Sequence, residues 1–384
     1  MAAARGKVVV VGAGIGGLTT VLALRRAGFD ADVYDRAADL RAIQVGYGIH
    51  LWSNAMRALR GLGVAEAVGA QSEPFDRMHF ETVGGRTVMD WPLDEAPQVI
   101  GDPIVGINRS ALHAVLADAV GTESIRFGKT LESYAQDGGS ATVGFADGTE
   151  AHGDVVVAAD GVRSAARRLM LDDGPPTYSG LSERHATISL PEGRVPPRTF
   201  HEYWGGRDRF GFYPIKGGTC WYLLGLDPQG TADSEGHKAV VLRKLDGWPE
   251  AARRIVEETP DADVVRLEVF VRGETKRWTD GRVALLGDAA HAMEPSGGQG
   301  SAQAIEDAVV LARCLAEGGG DPAAALRRYE AERLPRIRTI RRVSTATGRL
   351  GRVPRPLVPV RNLVVPLIGR RAWKTHKGLL AFEA

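Results

Sequence analysis

The sequence predicts a mixed α/β (α+β) fold: a discontinuous Rossmann-like domain, an antiparallel β-sheet domain interleaved with it, and a C-terminal helical segment. Three observations predict it. A β-branched run at residues 7–11 leads into GAGIGG and a helical pattern, so the chain opens as a βαβ unit. From about residue 179 to 271 the texture changes to short alternating strands. A buried-strand pattern then returns at 282–286, followed by two helices. At 384 residues the chain is long for one core, and two domains are expected.

The elements follow in order. A helix at 15–27 and a strand at 31–34 complete the opening unit. Residues 53–60 read as a short helix capped by Ser53. Strands 78–83 and 86–91 meet across Gly84-Gly85 as a hairpin, and Asn108 caps a helix through residue 120. Strands 141–145 and 151–158 flank the turn signal Asp147-Gly148. Strands 184–190, 198–204, 209–214 and 219–226 form a mostly antiparallel sheet, with helices at 234–245 and 250–258 on one side. Helices at 301–315 and 322–342 follow the late strand. Ala302, Ile305, Val309 and Ala312 make the buried stripe of the first of these. Segments 1–75, 98–178 and 272–342 are thus assigned to the first domain, 76–97 and 179–271 to the β-rich one. The tail, 343–384, carries a basic cluster (Arg370, Arg371, Lys374, Lys377) and is expected to pack as a helix across both domains.

Charge excludes one class of partner. Lys and Arg number 48 against 47 Asp and Glu, so no basic stripe for nucleic acid is expected. Cys220 and Cys314 match no metal-ligand spacing; no metal is expected, and two unpaired cysteines fit a reduced compartment. No segment has the apolar length of a membrane span and no signal peptide is evident, so a cytoplasmic protein without a membrane partner is expected. Oligomeric state is not legible.

Chemistry concentrates in three segments. In Gly12-Ala13-Gly14-Ile15-Gly16-Gly17, Gly12 permits a tight turn and Gly14 lets a pyrophosphate approach the backbone. Gly17 lets the helix pack on the strand, and the helix N-terminus offers N–H donors. Asp35 ends the second strand about 20 residues on, where a carboxylate holds ribose hydroxyls, and Arg36 beside it is either an adenine contact or a solvated side chain. This fingerprint suits NAD or FAD equally. Asp160-Gly161 and Gly287-Asp288 each follow a strand, and a strand-end carboxylate suits a ribityl chain. A simple nicotinamide enzyme needs no such acid so late in the chain.

Together with Pro295, Gly298-Gln299-Gly300 and Glu306-Asp307-Ala308, these segments resemble the single-component FAD-dependent aromatic hydroxylases, the group A flavoprotein monooxygenases that include para-hydroxybenzoate and salicylate hydroxylases. The resemblance runs from about residue 7 to 342 and includes Gly46-Tyr47-Gly48-Ile49, Trp52-Ser53-Asn54 and the flavin-contacting arginine, Arg109. Asp35 stands where the family usually has Glu, and Tyr47 replaces a small residue beside the flavin's expected position. The resemblance implies bound FAD, NADH or NADPH as reductant without a second nucleotide fingerprint, and O2 chemistry through a flavin C4a-hydroperoxide. It implies hydroxylation of an aromatic or polyketide-like small molecule; epoxidation, Baeyer-Villiger insertion, or a flavin-binding protein without oxygenase activity are the alternatives. Gly287 ends a strand, Asp288 faces the ribityl chain, and the helix after Gly300 aims its N–H groups at the flavin's pyrimidine edge. Pro295 presents its carbonyl to substrate. His50 is read either as a packing histidine or as a group that accepts a phenol proton or hydrogen bond. Arg209, Tyr213 and Trp221 are read as covering the substrate ring, with core or surface roles as the bland alternative. His50, Tyr213 and Pro295 are the expected catalytic positions.

Overall fold

Four consecutive valines, Val8 to Val11, are all buried. Residues buried on both faces belong at the centre of a parallel sheet, and that is where the strand Lys7–Val11 lies. The structure, a computed structural model, describes residues 5–44, 46–93 and 101–382, and no side chains at 355 or 368–376. The expected boundary at 97–98 and the side chains of Arg370, Arg371 and Lys374 therefore lie outside the described residues. The six-stranded sheet runs Thr279–Asp280, Val283–Leu285, Val155–Ala158, Lys7–Val11, Asp30–Tyr34, Ile125–Arg126, parallel throughout except at its first strand. The helix Ile15–Arg26 returns across it and packs on the helix Gly300–Ala316.

The second large sheet has seven strands, in the order Val265–Val271, Thr177–Ile188, Gly218–Leu226, Arg209–Ile215, Thr199–Trp204, Arg77–Thr82, Thr87–Pro92. The hairpin enters it through a parallel pairing with Thr199–Trp204; every other pairing is antiparallel. One face packs Phe210, Phe212 and Trp221 against the helices His237–Lys244 and Glu250–Glu258. The other face looks back toward the first sheet.

Several expectations are corrected. Residues 151–158 form two strands, not one. Glu150–Gly153 pairs with Ala141–Phe145 in a separate three-stranded sheet, and Val155–Ala158 enters the six-stranded one. Asp154 marks the crossing, its carboxylate accepting from Lys7 N at 2.7 Å. The helix Ser53–Gly61 takes Trp52 as N-cap without a side-chain bond, so Ser53 is already inside the helix. In Gly300–Ala316, Val309 is only half-buried, whereas Glu306 and Asp307 are buried completely. A small sheet of Gly48–Leu51, Val105–Asn108 and Ser72–Pro74 also escaped the pattern.

The chain end packs as the helix Val358–Leu380, which lies against the strand Thr87–Pro92. Buried Arg361 donates to Gly205 O at 2.9 Å, while Arg57 and Arg336 reach the carbonyls of Phe382 and Leu379 at 3.0 and 2.9 Å. Among the described residues no helix is long and apolar enough to cross a membrane.

What holds the loop between the sheets is a buried ion network. Arg333, fully buried on the helix Pro322–Gly351, donates from Nε to Asp307 and from Nη1 to Glu306, both at 2.6 Å. Asp307 also binds His291 Nε2 at 2.6 Å and accepts from Gly287 N at 3.0 Å. Glu306 accepts from Arg336 twice and from Asn54. Burial pushes the Asp307 carboxyl up, but His291 and Arg333 win and hold it at about 2. Removing one partner of a buried pair strands the other, at about 3–5 kcal/mol. Arg333→Met is therefore expected to lower unfolding free energy by about that amount, measured by urea denaturation, and to release flavin in parallel.

Candidate active site

The glycine turn is built by sterics. Gly12 has φ +103°, and a Cβ there would lie 2.3 Å from Ala159 O; a Cβ at Gly17 would lie 1.8 Å from Gly12 O. Gly16 packs near Leu286 and Ala304, and Ile15 is buried. Gly14 differs: nothing lies within 4 Å of its Cβ position, and it opens its helix without a side-chain cap. An uncapped N-terminus beside open space is what a pyrophosphate needs.

Asp35 has a second task that the motif did not announce. Its two oxygens accept from Ala13 N and Ala37 N, each at 2.7 Å. A carboxylate has about four acceptor sites, so a ribose hydroxyl can still be received, while the turn is held shut from behind. His113, buried and held toward its neutral form by burial, donates from Nε2 to Ala13 O at 2.7 Å. Ala13 is thus pinned at both its N–H and its carbonyl. Arg36 is exposed. Arg109 donates to Ile43 O at 3.1 Å and lies over the Tyr47 ring at 5.7 Å, and Tyr47 in turn meets the His185 ring at 5.2 Å. Tyr47 therefore stands wedged between two cationic side chains.

Two carboxylates are left wanting donors. Asp160 lies beside Gly12 and caps the following helix through Oδ2, which accepts from Ala165 N at 2.8 Å, while Oδ1 is buried without a partner. Gly161, at φ +79°, has open space at its Cβ position. Asp288 is exposed only into the cleft, and the surrounding protein raises its carboxyl pKa by burial, with His291 and Arg109 opposing. Hydroxyl donors of a ribityl or ribose chain satisfy both acids, and these residues fit FAD.

Asp288 also borders a cavity of about 500 Å³. Pro295, Gly297, Gly298 and Gly300 line that end. Pro295–Gly297 is a 3-10 turn whose first carbonyl accepts from Gly298 N at 2.7 Å. The Pro295 carbonyl thus accepts one hydrogen bond and keeps a second lone pair, and the residue lines the cavity. Gln299, buried, accepts from Asn54 and Gln303 and places Gly300 at an uncapped helix start with nothing near its Cβ position. Gly298 is obligatory for two reasons: φ is +60°, and a Cβ would lie 1.9 Å from His50 Nε2.

His50 stands in an aromatic box, with Trp52, Phe200 and Tyr213 at 5.5, 5.4 and 6.0 Å. Burial drives its imidazole down to about 4, Glu183 opposing only in part. The sheet forms the facing wall. Side chains alternate across a strand, so Phe200, Glu202 and Trp204, Arg209 and Tyr213, and Cys220, Tyr222 and Leu224 share one face. Trp221 has the wrong parity. It is fully buried on the far side, bonded to Thr259 Oγ1 at 2.9 Å, and does not join the site.

Sequence reasoning missed the polar pair at the centre of that wall. Glu202 accepts from Trp204 Nε1 at 2.5 Å, from Tyr222 OH, and from Arg209 at 3.4 Å. Arg209 also reaches Ser296 at 3.1 Å, and its Nε is buried without a partner. Glu183 and His185 form a second pair at 3.0 Å. Burial pulls the His185 pKa down, but Glu183 and the neighbouring Cys220 hold its proton, to about 10. The available signal was parity: once Arg209 is assigned to the cavity, its cross-strand partners fix Glu202 and Tyr222 on the same face.

Residues 5–344 match the protein family described as FAD binding domain. The chain is 38% identical to an aurachin C monooxygenase/isomerase of Stigmatella aurantiaca, over 90% of this chain and 89% of that one. It is 34% identical to a 3-amino-4-hydroxybenzoate 2-monooxygenase of Streptomyces cremeus, covering 88% and 85%. The crystal structure of Klebsiella pneumoniae HpxO complexed with FAD and uric acid superposes with a TM-score of 0.90 at 28% identity, covering 97% of this chain and 96% of that one.

The two cavity histidines pull stability in opposite directions with pH. His50 is neutral when folded, so the unfolded chain binds its proton first on acidification and stability falls from pH ~6.5 toward ~4. His185 is protonated when folded, so its contribution is complete below pH ~6.5 and fades as pH rises toward ~10. His50→Asn is therefore expected to flatten the loss of urea resistance between pH ~7 and ~5, and His185→Asn to differ from the parent most at low pH and least at high pH.

Proposed function

The chain belongs to the FAD-binding-domain family, and from that premise we propose that it hydroxylates an electron-rich aromatic ring bearing apolar substituents, using NAD(P)H and O2. It is an FAD-dependent enzyme of the oxidoreductase class, as are the monooxygenases it matches over most of its length. Similar relatives named as a urate hydroxylase and as ring-position monooxygenases of hydroxybenzoate and hydroxynicotinate support ring hydroxylation above epoxidation or ester insertion.

The observation that carries the reading is where the cavity lies. One end meets Asp288, Pro295 and the helix start at Gly300; the other runs under Met78, Phe80, Met89, Trp91 and Val365. Its volume of about 500 Å³ is ordinary for a drug-sized ligand, and such sites are mainly apolar with a few placed polar groups. When bound, FAD supplies electron transfer from NAD(P)H and the activation of O2. The residues of the chain bind and orient the ring, exclude water and hold protons.

Asp160, Asp288 and Asp35 would receive the cofactor's hydroxyls, and the helix starts at Gly14 and Gly300 would face its negatively charged parts. On the substrate side His50 keeps its lone pair at neutral pH. A phenol, with a pKa of ~10, is a far weaker acid than an imidazolium that burial holds at about 4, so complete proton transfer to His50 is strongly uphill. His50 therefore acts as an acceptor that orients a ring O–H or N–H. Arg209 offers its unpartnered Nε to a ring oxygen, and because Glu202 already balances its charge, a neutral carbonyl or phenolic oxygen suits it better than a free carboxylate. Tyr213, its hydroxyl kept protonated by burial, closes the ring site beside His50.

The test uses the yellow protein with hydroxylated aromatics that differ in alkyl chain length. A ring that fits is expected to accelerate NAD(P)H oxidation and to gain one oxygen atom from labelled O2. Each added methylene that reaches the apolar end strengthens binding by about 0.8 kcal/mol. Arg209→Ala is expected to raise KM by roughly 10- to 100-fold through loss of a charged hydrogen bond. A tightly held flavin that no pyridine nucleotide reduces, with or without ligand, overturns the reading.

A further inference from the structure

The face of the seven-stranded sheet turned away from the cavity carries a cluster that no part of this chemistry uses. On Arg77–Thr82, Met78 and Phe80 point into the cavity, so His79 and Glu81 point outward on the opposite face. The parallel neighbour Thr199–Trp204 pairs His201 in register with His79. Glu81 stands between them: His201 Nε2 is 3.1 Å from one carboxylate oxygen and His79 Nε2 is 3.7 Å from the other. All three ligating atoms lie within 4.8 Å of one another. His201 is buried and stacked on Phe212 at 5.0 Å, which fixes its ring plane.

The orientation of His79 is the telling feature. Its buried Nδ1 makes no hydrogen bond, with Asp90 on the next strand 3.5 Å away, while Nε2 faces Glu81 at 3.7 Å. A neutral imidazole has one proton to give. If Asp90 receives it, a lone pair is left facing the Glu81 carboxylate, and two acceptors confront each other. A cation between them removes the conflict. Carboxylate behind imidazole behind metal is the usual way such a ligand is oriented, and two imidazoles with one carboxylate are a donor set that Zn²⁺ accepts, leaving one position for water.

We propose that His79, Glu81 and His201 bind a divalent transition metal of the Zn²⁺ type. Three protein ligands and a water are not the closed set of an ordinary structural zinc, but the site lies away from the reacting ring, and its role is to brace the cavity wall. The sheet separates it from the cavity, and it fastens two strands 120 residues apart in sequence whose other faces, through Met78, Phe80 and Phe200, wall the cavity.

The test is calorimetric titration of the chelator-treated, FAD-loaded protein with Zn²⁺ alone near neutral pH. One Zn²⁺ per chain is expected, with a rise in Tm at saturation. His79→Ala with His201→Ala is expected to weaken binding by roughly tenfold or more and to abolish the Tm rise, while the flavin spectrum stays that of the parent. Should loss of the His201 stack on Phe212 unfold that variant, Glu81→Gln keeps the shape, removes the charge and is expected to weaken Zn²⁺ in the same way. Failure to take up stoichiometric Zn²⁺, or unchanged affinity and Tm rise in Glu81→Gln, overturns the proposal. Neither outcome touches the oxygenase reading, which the flavin spectrum and NAD(P)H oxidation report separately.

Discussion

Arg333 is a cation sealed among Asp307, Glu306 and Gln303, and the site depends on where those partners stand. Taking such a charge out of water is costly, and only complete pairing repays it. That requirement makes the network rigid, because no member can drift without stranding another. Asp307 passes the constraint to Gly287 N and His291, hence to the turn that presents Asp288. Glu306 passes it through Asn54 to Gln299, hence to the helix start. Arg167 adds a clamp from the other side, donating to Ala290 O at 2.7 Å. A segment with Gly287, Gly297, Gly298 and Gly300 loses more entropy on ordering than any other composition. The network, with Ser344 bonded to Gly297 N at 3.1 Å, is what offsets that loss.

The cavity is a joint product of two sheets that meet at the small sheet Gly48–Leu51, Val105–Asn108, Ser72–Pro74. A Cβ at Gly48 would lie 2.4 Å from Cys220, and one at Gly106 would lie 2.2 Å from Pro214 O. Both glycines are there because the large sheet passes directly over this one. That closeness delivers His50 to the gap between Gly298 on one side and Tyr213 and Phe200 on the other. His50 is thus held by contact, and the pull of Glu183 on its proton is too weak to offset burial. An imidazole so placed stays neutral, which suits the orienting role and leaves the positive charge of the cavity to Arg209 and His185.

What was legible in the sequence was whatever depends on near neighbours. Gly17 answers to a clash with Gly12 in the same turn and Gly12 to its own positive φ, so their spacing announces them, although the clash of Gly12 with Ala159 comes from the end of a distant strand. Asn108 caps its helix as its residue type suggests, accepting from Ser110 N at 2.9 Å. The hairpin across Gly84-Gly85 and most strands of the large sheet were visible for the same reason. Trp221 was misplaced because alternation tells that a strand has two faces but not which one meets the cavity; an error of one residue inverts the answer. Glu306 and Asp307 were visible as a motif, yet an apolar-stripe reading favoured Val309, since burying two acids is sensible only if Arg333 and Arg336 arrive from elsewhere. Ser53 failed as a cap because Trp52 already holds the capping position. The His79–Glu81–His201 cluster spans a parallel pairing that no local pattern reveals.

The network also sets the potential at the helix start, and this joins structure to chemistry most directly. Glu306 and Asp307 lie two turns into the helix Gly300–Ala316, below its N-terminus. Burial raises both carboxyl groups, but the arginines hold Asp307 at about 2 and keep Glu306 low, so both are ionised. Left alone, two buried negative charges would cancel the half-unit positive charge that a helix presents at its N-terminus and would repel an anionic ligand. Arg333 and Arg336 neutralise them charge for charge. The dipole and the free N–H groups after Gln299 are then unopposed in the cleft, where low dielectric makes them count for more than in water. Two arginines thereby leave a helix terminus free to receive a negatively charged or electron-rich group, the role proposed for it toward the cofactor. An uncharged core at these positions would leave the same dipole but without the hydrogen bonds that fix Gln299 and Asp288 beside it.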